Sequence, residues 1–210
     1  MAEILSTTQG YQYRILERER FNDSKKLSRV LVEISHPKKQ TIITSRLVSK
    51  FPNCYPRPGL GESQTDLYCE KITGLASAGI PVVPRVYVVS DTEVLLPDLT
   101  LDGGIILDKH ANDLSPDIVN DEITQLVRGF DLLDAIVQLS QIVDLANMHD
   151  IGLPFDDPLA LYIGPDSEIQ TLVLDVDPTN LKGTDDDVTK NRVTSLIFFG
   201  LLKHLKERFS

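Results

Sequence analysis

Two aspartates in the second half of the chain have the type and spacing that catalysis requires. Asp157 follows a segment whose apolar pattern predicts a helix ending at His149, and Asp175 directly follows an apolar run, residues 172–174. Two carboxylates held in this way suit phosphoryl transfer. One orients the attacking hydroxyl and accepts its proton, while the other binds the Mg²⁺ that bridges the nucleotide phosphates. A strand hairpin between them would be a rigid support, so the sequence predicts that both carboxylates lie near one point.

Helix and hairpin signals surround these two aspartates. A helix is predicted over residues 130–149, because five apolar residues fall on one of its faces at helical spacing. These residues are Leu132, Ile136, Leu139, Val143 and Ala146. A hairpin follows, with strands at residues 159–163 and 172–174 around a Gly-Pro-Asp turn. A last helix is predicted over residues 189–208, and its apolar stretch 196–202 predicts that it is buried.

Strand signals dominate the first half. The predicted strands span residues 11–17, 29–35, 40–48, 85–89 and 93–96. A helix is predicted over residues 63–78, because Gly79 fits a C-terminal cap and Pro81 prevents the helix from continuing. Composition changes at residues 97–104, after which the strand signals fade, so a boundary is expected there. Consecutive short strands before a helical half indicate an α+β fold rather than a parallel βαβ array.

The segment from residue 145 to residue 177 resembles the catalytic loop and metal loop of protein kinases and of their small-molecule relatives, the aminoglycoside and lipopolysaccharide-sugar kinases. The residues that match this pattern are Leu145, His149, Gly152 and Leu153. Asp157 lies 8 residues after His149, and Asp175 lies 18 residues after Asp157, and both spacings suit the family. In this resemblance Asp175-Val176-Asp177 replaces Asp-Phe-Gly, as Asp-x-Asp does in the sugar-kinase relatives.

The first half is similar to the small lobe of the same family. Residues 62–89 resemble its helix and the strand after it, which puts Glu70 in the place of the glutamate that pairs with a strand lysine. Arg46 or Lys50 would be the basic partner, and residues 93–104 resemble the last strand and the hinge beside the adenine. The resemblance therefore implies a two-lobed kinase-like fold. Residues 1–100 would form an antiparallel-sheet N-lobe with one helix, residues 101–210 would form a short, mainly helical C-lobe, and the two would act as one functional domain.

The function that the resemblance implies is ATP- and Mg²⁺-dependent phosphoryl transfer to an unknown acceptor. Asp157 would be the base, and Asp175 with Asp177 would bind the metal. Glu70 with Arg46 or Lys50 would position the phosphates.

The alternative is a pseudokinase, a binding or scaffold module of the same fold without phosphoryl transfer. The departures from the family pattern favour it. Residues 18–30 contain no glycine where a phosphate-covering loop is expected, Phe155-Asp156 replaces the His-Arg pair, and Leu159 replaces a basic residue. Tyr162 stands where a second metal-binding asparagine is expected.

The same residues allow other interpretations. His149 could be a structural residue at a helix end, and Glu70 with its basic partner could be a surface pair worth under about 1 kcal/mol.

Two other motifs overlap the segment that begins at Asp175. Residues 175–179 match the nucleophile motif of dehalogenase-like phosphatases, but only 31 residues follow them, which is too few for the rest of that site. A calcium loop starting at Asp175 is excluded, because Asn180 stands at the position of its turn glycine. The acidic run 185–187 is typical of a solvated face or a helix N-terminus.

Composition limits the class of protein. The hydrophobic share of 41% and the charged share of 25% are typical of globular domains. A net charge of −10 opposes nucleic-acid binding, which needs clustered basic residues. We expect a cytoplasmic protein, because there is neither a basic-then-apolar leader nor an apolar run long enough for a membrane span. Cys54 and Cys69 show no metal-binding spacing. The expected partners are a nucleotide and an unidentified small molecule or protein.

Overall fold

The structure, a computed structural model, describes most of the chain. The described residues are 3–5, 10–22, 27–36, 38, 41–52, 59–108, 120–153, 159–174, 176 and 185–210. The chain divides into two compact units. The first unit is Met1–Gly74 with Val83–Asp98, and the second unit is Leu75–Val82 with Leu99–Ser210.

The first unit contains a six-stranded sheet and most of one helix. Its elements are β1 (Glu3–Leu5), β2 (Gln12–Asn22), β3 (Leu27–His36), β4 (Thr41–Lys50), α1 (Gln64–Ser77), β5 (Arg85–Ser90) and β6 (Glu93–Pro97). The strand order is β1-β5-β6-β4-β3-β2. The five strands β2 to β6 pair antiparallel, whereas β1 pairs parallel to β5. This sheet confirms an α+β class with an antiparallel sheet, as the consecutive short strands predict.

Alternation along β3 builds the core of this unit. Val30, Val32 and Ile34 are buried, and they cluster with Leu47 of β4 and with two residues of β5 and β6, Tyr87 and Leu95. Because successive side chains of a strand point to opposite faces, these residues share one face of the sheet. Tyr11, Tyr13, Ile15 and Val89 pack against the same cluster.

In the part of the chain that the structure describes, the second unit contains a three-stranded sheet and three further helices. Its elements are β7 (Ile105–Leu107), α2 (Asp121–Gly129), α3 (Leu132–Met148), β8 (Leu159–Ile163), β9 (Ile169–Val173) and α4 (Asp185–Phe209). The sheet order is β7-β8-β9, antiparallel throughout. The predicted hairpin is therefore present, with its second strand starting three residues earlier than expected. One further short strand, β7, follows directly after residues 97–104, where the strand signals of the sequence fade, because pairing with β8 stabilises its three residues.

Capping side chains set the helix starts in this unit. The Asn120 side chain accepts a hydrogen bond from the Ile123 amide, and the Asp131 side chain accepts from the Leu133 and Asp134 amides. These bonds satisfy amides that have no partner within the helix.

The buried face of α3 consists of Ala135, Leu139, Ile142 and Ala146. The predicted apolar face is therefore rotated, and Leu132, Ile136 and Val143 are only half-buried.

Gly79 ends α1 as predicted. Its φ of +81° lies in the left-handed region, its amide donates to the Ala76 carbonyl, and the next amide, of Ile80, donates to the Leu75 carbonyl. A side chain at this position would strain the backbone, which is why glycine is favoured there.

Across the described residues, we find no helix with the length and apolar character needed to cross a bilayer.

Candidate functional site

The predicted catalytic and metal residues Asp157, Asp175 and Asp177 lie outside the described residues. The structure does define the strand ends beside them. Leu159, the first residue of β8, is the paired partner of Val173, the last residue of β9. Asp157 precedes Leu159 by two residues and Asp175 follows Val173 by two residues. The chain therefore enters and leaves this hairpin at one end, which we call the paired end.

The β9 side of the paired end is held by the backbone. The Val173 amide donates to the Pro81 carbonyl at 2.9 Å, and Val82 forms an isolated parallel bridge with Val173. Further along β9, the Gln138 side chain of α3 accepts from the Thr171 amide at 2.7 Å and donates to the Ile169 carbonyl at 3.2 Å. A single amide side chain thus satisfies both a donor and an acceptor of the strand, and β9 is fixed on α3.

Asn191 of α4 holds the chain that leads to Asp157. Its side-chain oxygen accepts from the Leu153 amide at 2.6 Å, and its nitrogen donates to the Ile151 carbonyl at 2.9 Å. The same nitrogen also donates to the side-chain oxygen of Asn147 at 2.9 Å. Asn191 is only 1% exposed, so these bonds are shielded from water. The segment after α3 is therefore attached to α4 four residues before Asp157.

Sequence reasoning missed Asn191, although a signal for it exists. The buried face of α4 is Asn191, Thr194, Phe198, Leu202, Leu205 and Phe209. Asn191 continues the helical spacing of an apolar stripe, yet it is an amide. A polar side chain on a buried stripe needs partners, because an unpaired buried amide is costly.

The structure brings Lys50 of β4 to Tyr68 of α1. The Lys50 ammonium nitrogen lies 5.4 Å from the centre of the Tyr68 ring, a cation–π distance. Tyr68 is fully buried, whereas Glu70, two residues later, lies on the exposed side of the helix. Arg46 is also exposed and shares the Lys50 face of β4 by strand alternation. The sequence did not single out Tyr68.

Tyr162, at the position expected for a second metal-binding asparagine, lies within β8. It pairs with Ile106 of β7 and Gln170 of β9, and its ring packs on Gly104, where an added Cβ would lie 2.5 Å from the ring. Burial raises the pKa of the Tyr162 phenol, and the nearby carboxylates of Glu168 and Asp102 raise it further.

Neither a metal centre nor a family is assigned by direct observation. Within the described ranges, no three His, Cys, Asp or Glu side chains are grouped so that they could hold a metal ion. The chain matches no family model, and a search of curated proteins found no relative. Function must therefore be inferred from the geometry of the chain itself.

Proposed function

We propose that the chain is a kinase-like phosphotransferase that uses ATP and Mg²⁺. Asp157 is the base that accepts the proton of the attacking hydroxyl, and Asp175, assisted by Asp177, binds the metal. The observation that carries this proposal is the Leu159–Val173 pair at the end of the β8–β9 hairpin. Asp157 precedes Leu159 by two residues, and Asp175 follows Val173 by two residues. This short separation along the chain would allow both carboxylates to serve one reacting phosphate.

The supports on both sides of the hairpin favour this role. Asn191 holds Leu153 on the side of Asp157, and Pro81 and Gln138 hold β9 on the side of Asp175. Phosphoryl transfer depends mostly on positioning and electrostatic stabilisation, so a base and a metal ligand on rigid supports are what it requires. Lys50 is the stronger candidate for a phosphate contact, because its ammonium is directed to α1 while Arg46 is exposed.

A pseudokinase is the second candidate, and one observation favours it. Tyr162, in strand β8, stands where the family pattern expects a metal-binding asparagine. In this alternative the fold binds a nucleotide or a protein partner without transferring a phosphoryl group.

Nucleotide binding is tested by thermal unfolding with ATP, with and without Mg²⁺. A ligand that binds only the folded state stabilises it by about 2.7 kcal/mol at a hundredfold excess over Kd. We expect a Mg²⁺-dependent rise in Tm for the wild type and none for Asp175→Asn. Asp166→Asn is the matched control, because Asp166 is exposed at the opposite, turn end of the same hairpin. No rise in the wild type at millimolar ATP would contradict the phosphotransferase.

Turnover separates the two candidates. ATP labelled on its terminal phosphate, incubated with the wild type and Mg²⁺, should lose the label slowly to water even without the natural acceptor. Asp157→Asn should bind Mg²⁺–ATP as the wild type does and lose this activity. Binding without any turnover in the wild type would support the pseudokinase instead.

A further inference from the structure

We propose that the second unit carries a separate binding site for a small aliphatic amine, in a cavity between α3 and the β8–β9 hairpin. The cavity has a volume of about 600 Å³, within the range typical of small-molecule sites. Its walls come from the chain after α1, from one side of α3 and from both strands of the hairpin. The site does not depend on the function proposed above.

An unsatisfied hydroxyl lies in the wall of this cavity. Thr171 is fully buried, and its hydroxyl oxygen has no hydrogen-bond partner among the residues that the structure describes. Its backbone amide, in contrast, is bonded to Gln138. A buried polar group without a partner costs about 1–3 kcal/mol, so a ligand that hydrogen-bonds to this hydroxyl would recover part of that cost. Thr171 lines the cavity together with two further amide side chains, those of Gln141 and Gln170.

The negative charge around the cavity favours a cationic ligand. Among the described residues that line it, Glu168 is the one charged side chain, and none is Lys, Arg or His. Glu168 and Asp102 both raise the pKa of Tyr162, another lining residue, which places their negative charge close to its phenol. Asp134 is also near, since its carboxylate accepts from the Gln138 amide. An ammonium group is favoured at such a site, and an anionic ligand is repelled.

The apolar residues that line the cavity favour a ligand with a hydrocarbon chain. Ile142 and Leu145 of α3, Ile169 of β9 and Pro81 provide hydrocarbon surface beside the polar groups. A short methylene chain would be buried there at about 0.8 kcal/mol per CH₂, with its ammonium at Glu168. In the sequence, Glu168 lies next to the turn of the hairpin, whereas Asp157 precedes its first strand and Asp175 follows its second strand. The amine is therefore a ligand of its own site rather than a contact of the reacting phosphate.

Calorimetric titration of the full chain with putrescine tests the site, with butanediol as the neutral probe of similar length and butyrate as the anionic one. We expect putrescine to bind and the other two not to bind. Glu168→Gln should weaken binding about tenfold, the effect of losing one charge-assisted hydrogen bond. Asp166→Asn is the matched control, since Asp166 is in the same turn but does not line the cavity, and it should bind as the wild type does.

A cavity-filling variant keeps the test independent of charge. Gln141 is exposed on α3 and lines the cavity, so Gln141→Trp should block it without disturbing the core. Its Tm without ligand should match that of the wild type, while putrescine binding should be lost. The proposal is overturned if putrescine does not bind at millimolar concentration, or if butanediol binds as tightly. It is equally overturned if Glu168→Gln and Asp166→Asn weaken binding to the same extent, because that would indicate nonspecific attraction to the net negative charge.

Discussion

Arg18 and Glu93 are 75 residues apart in the sequence, yet a guanidinium nitrogen of Arg18 lies 2.6 Å from a carboxylate oxygen of Glu93. A second Arg18 nitrogen donates to the Ser49 hydroxyl at 3.0 Å, and that hydroxyl donates to the same Glu93 oxygen at 2.5 Å. The three residues join β2, β4 and β6 across the sheet, passing over β3. Ser49 is fully buried, and the Arg18 and Glu93 side chains are 31% and 12% exposed.

A β-bulge in β2 makes this contact possible. Ile15 is opposite Val32 and Arg18 is opposite Val30, with a register shift between Ile15 and Glu17 that leaves Leu16 as the extra residue. In a regular strand, residues three apart point to opposite faces. The bulge restores Arg18 to the face of the apolar cluster, where it reaches Ser49 and Glu93.

Removing the charge of Glu93 should destabilise the protein. We expect Glu93→Gln to lower the free energy of unfolding by about 1–2 kcal/mol, because Arg18 and the buried Ser49 hydroxyl lose a charged acceptor. The measurement is equilibrium unfolding in urea. Glu19→Gln, a change at an exposed position one residue after Arg18, should stay within about 0.5 kcal/mol of the wild type. In the double variant with Arg18→Met the two losses should be less than additive, and full additivity would contradict the network.

Replacing Asn191 should loosen the segment before Asp157. Asn191→Leu keeps the branching of the side chain at Cγ but leaves the Leu153 amide and the Ile151 carbonyl without their buried partner, so we expect a loss of about 2–4 kcal/mol. Hydrogen exchange of the Leu153 amide should accelerate more than global unfolding alone explains. Arg192→Leu, at the exposed neighbouring position, is the control. Unchanged protection of Leu153 in Asn191→Leu would refute the anchoring role.

Tyr13 should make the protein sensitive to high pH. Burial, followed by the neighbouring Tyr87 and Tyr11, raises the pKa of Tyr13 to about 12. A tyrosine in the unfolded chain ionises at about 10, so between these values the unfolded state releases its proton first. The free energy of unfolding is therefore at its full value below pH about 10, and it decreases as the pH rises to about 12. Ultraviolet titration should show a tyrosine step near the higher value that Tyr13→Phe removes, and a step retained in Tyr13→Phe would contradict the assignment.

The same variant makes a prediction at neutral pH. The Tyr13 hydroxyl is buried without a hydrogen-bond partner among the described residues. Removing it leaves the ring contact with Tyr87, at 6.2 Å between centroids, in place. We expect Tyr13→Phe to be neutral or to stabilise by up to about 1 kcal/mol in urea unfolding. A loss of similar size would indicate that the hydroxyl has a bound-water partner.

The choice between Lys50 and Arg46 can be decided by nucleotide affinity. If the chain binds Mg²⁺–ATP as proposed, Lys50→Met should weaken binding at least about tenfold, or about 1.4 kcal/mol, by removing one phosphate contact. Arg46→Met, on the same face of β4 but exposed, should leave the affinity within about twofold. Fluorescent-nucleotide titration measures both. Equal losses, or a larger loss for Arg46→Met, would reverse the assignment.

Patterns among neighbouring residues predicted the elements whose formation depends on those neighbours. The alternation of Val30, Val32 and Ile34 predicted a strand with one buried face, and Gly79 with Pro81 predicted the end of α1. The hairpin formed by β8 and β9 was also predicted, and with it the paired end beside Asp157 and Asp175. The roles of those aspartates and of Asp177 stay predictions.

Tertiary structure decided what periodicity does not encode. The sequence by itself determined the α+β class, the antiparallel sheet and the position of the hairpin, because strand alternation and glycine caps act between neighbouring residues. The structure decided that Lys50 contacts Tyr68, that Arg18 reaches Glu93 through a bulge, and that Asn191 holds Leu153. Each of these contacts joins residues far apart in the chain. Such a partner is chosen by the packing of whole elements, so it becomes visible only when the sheet and helices are assembled.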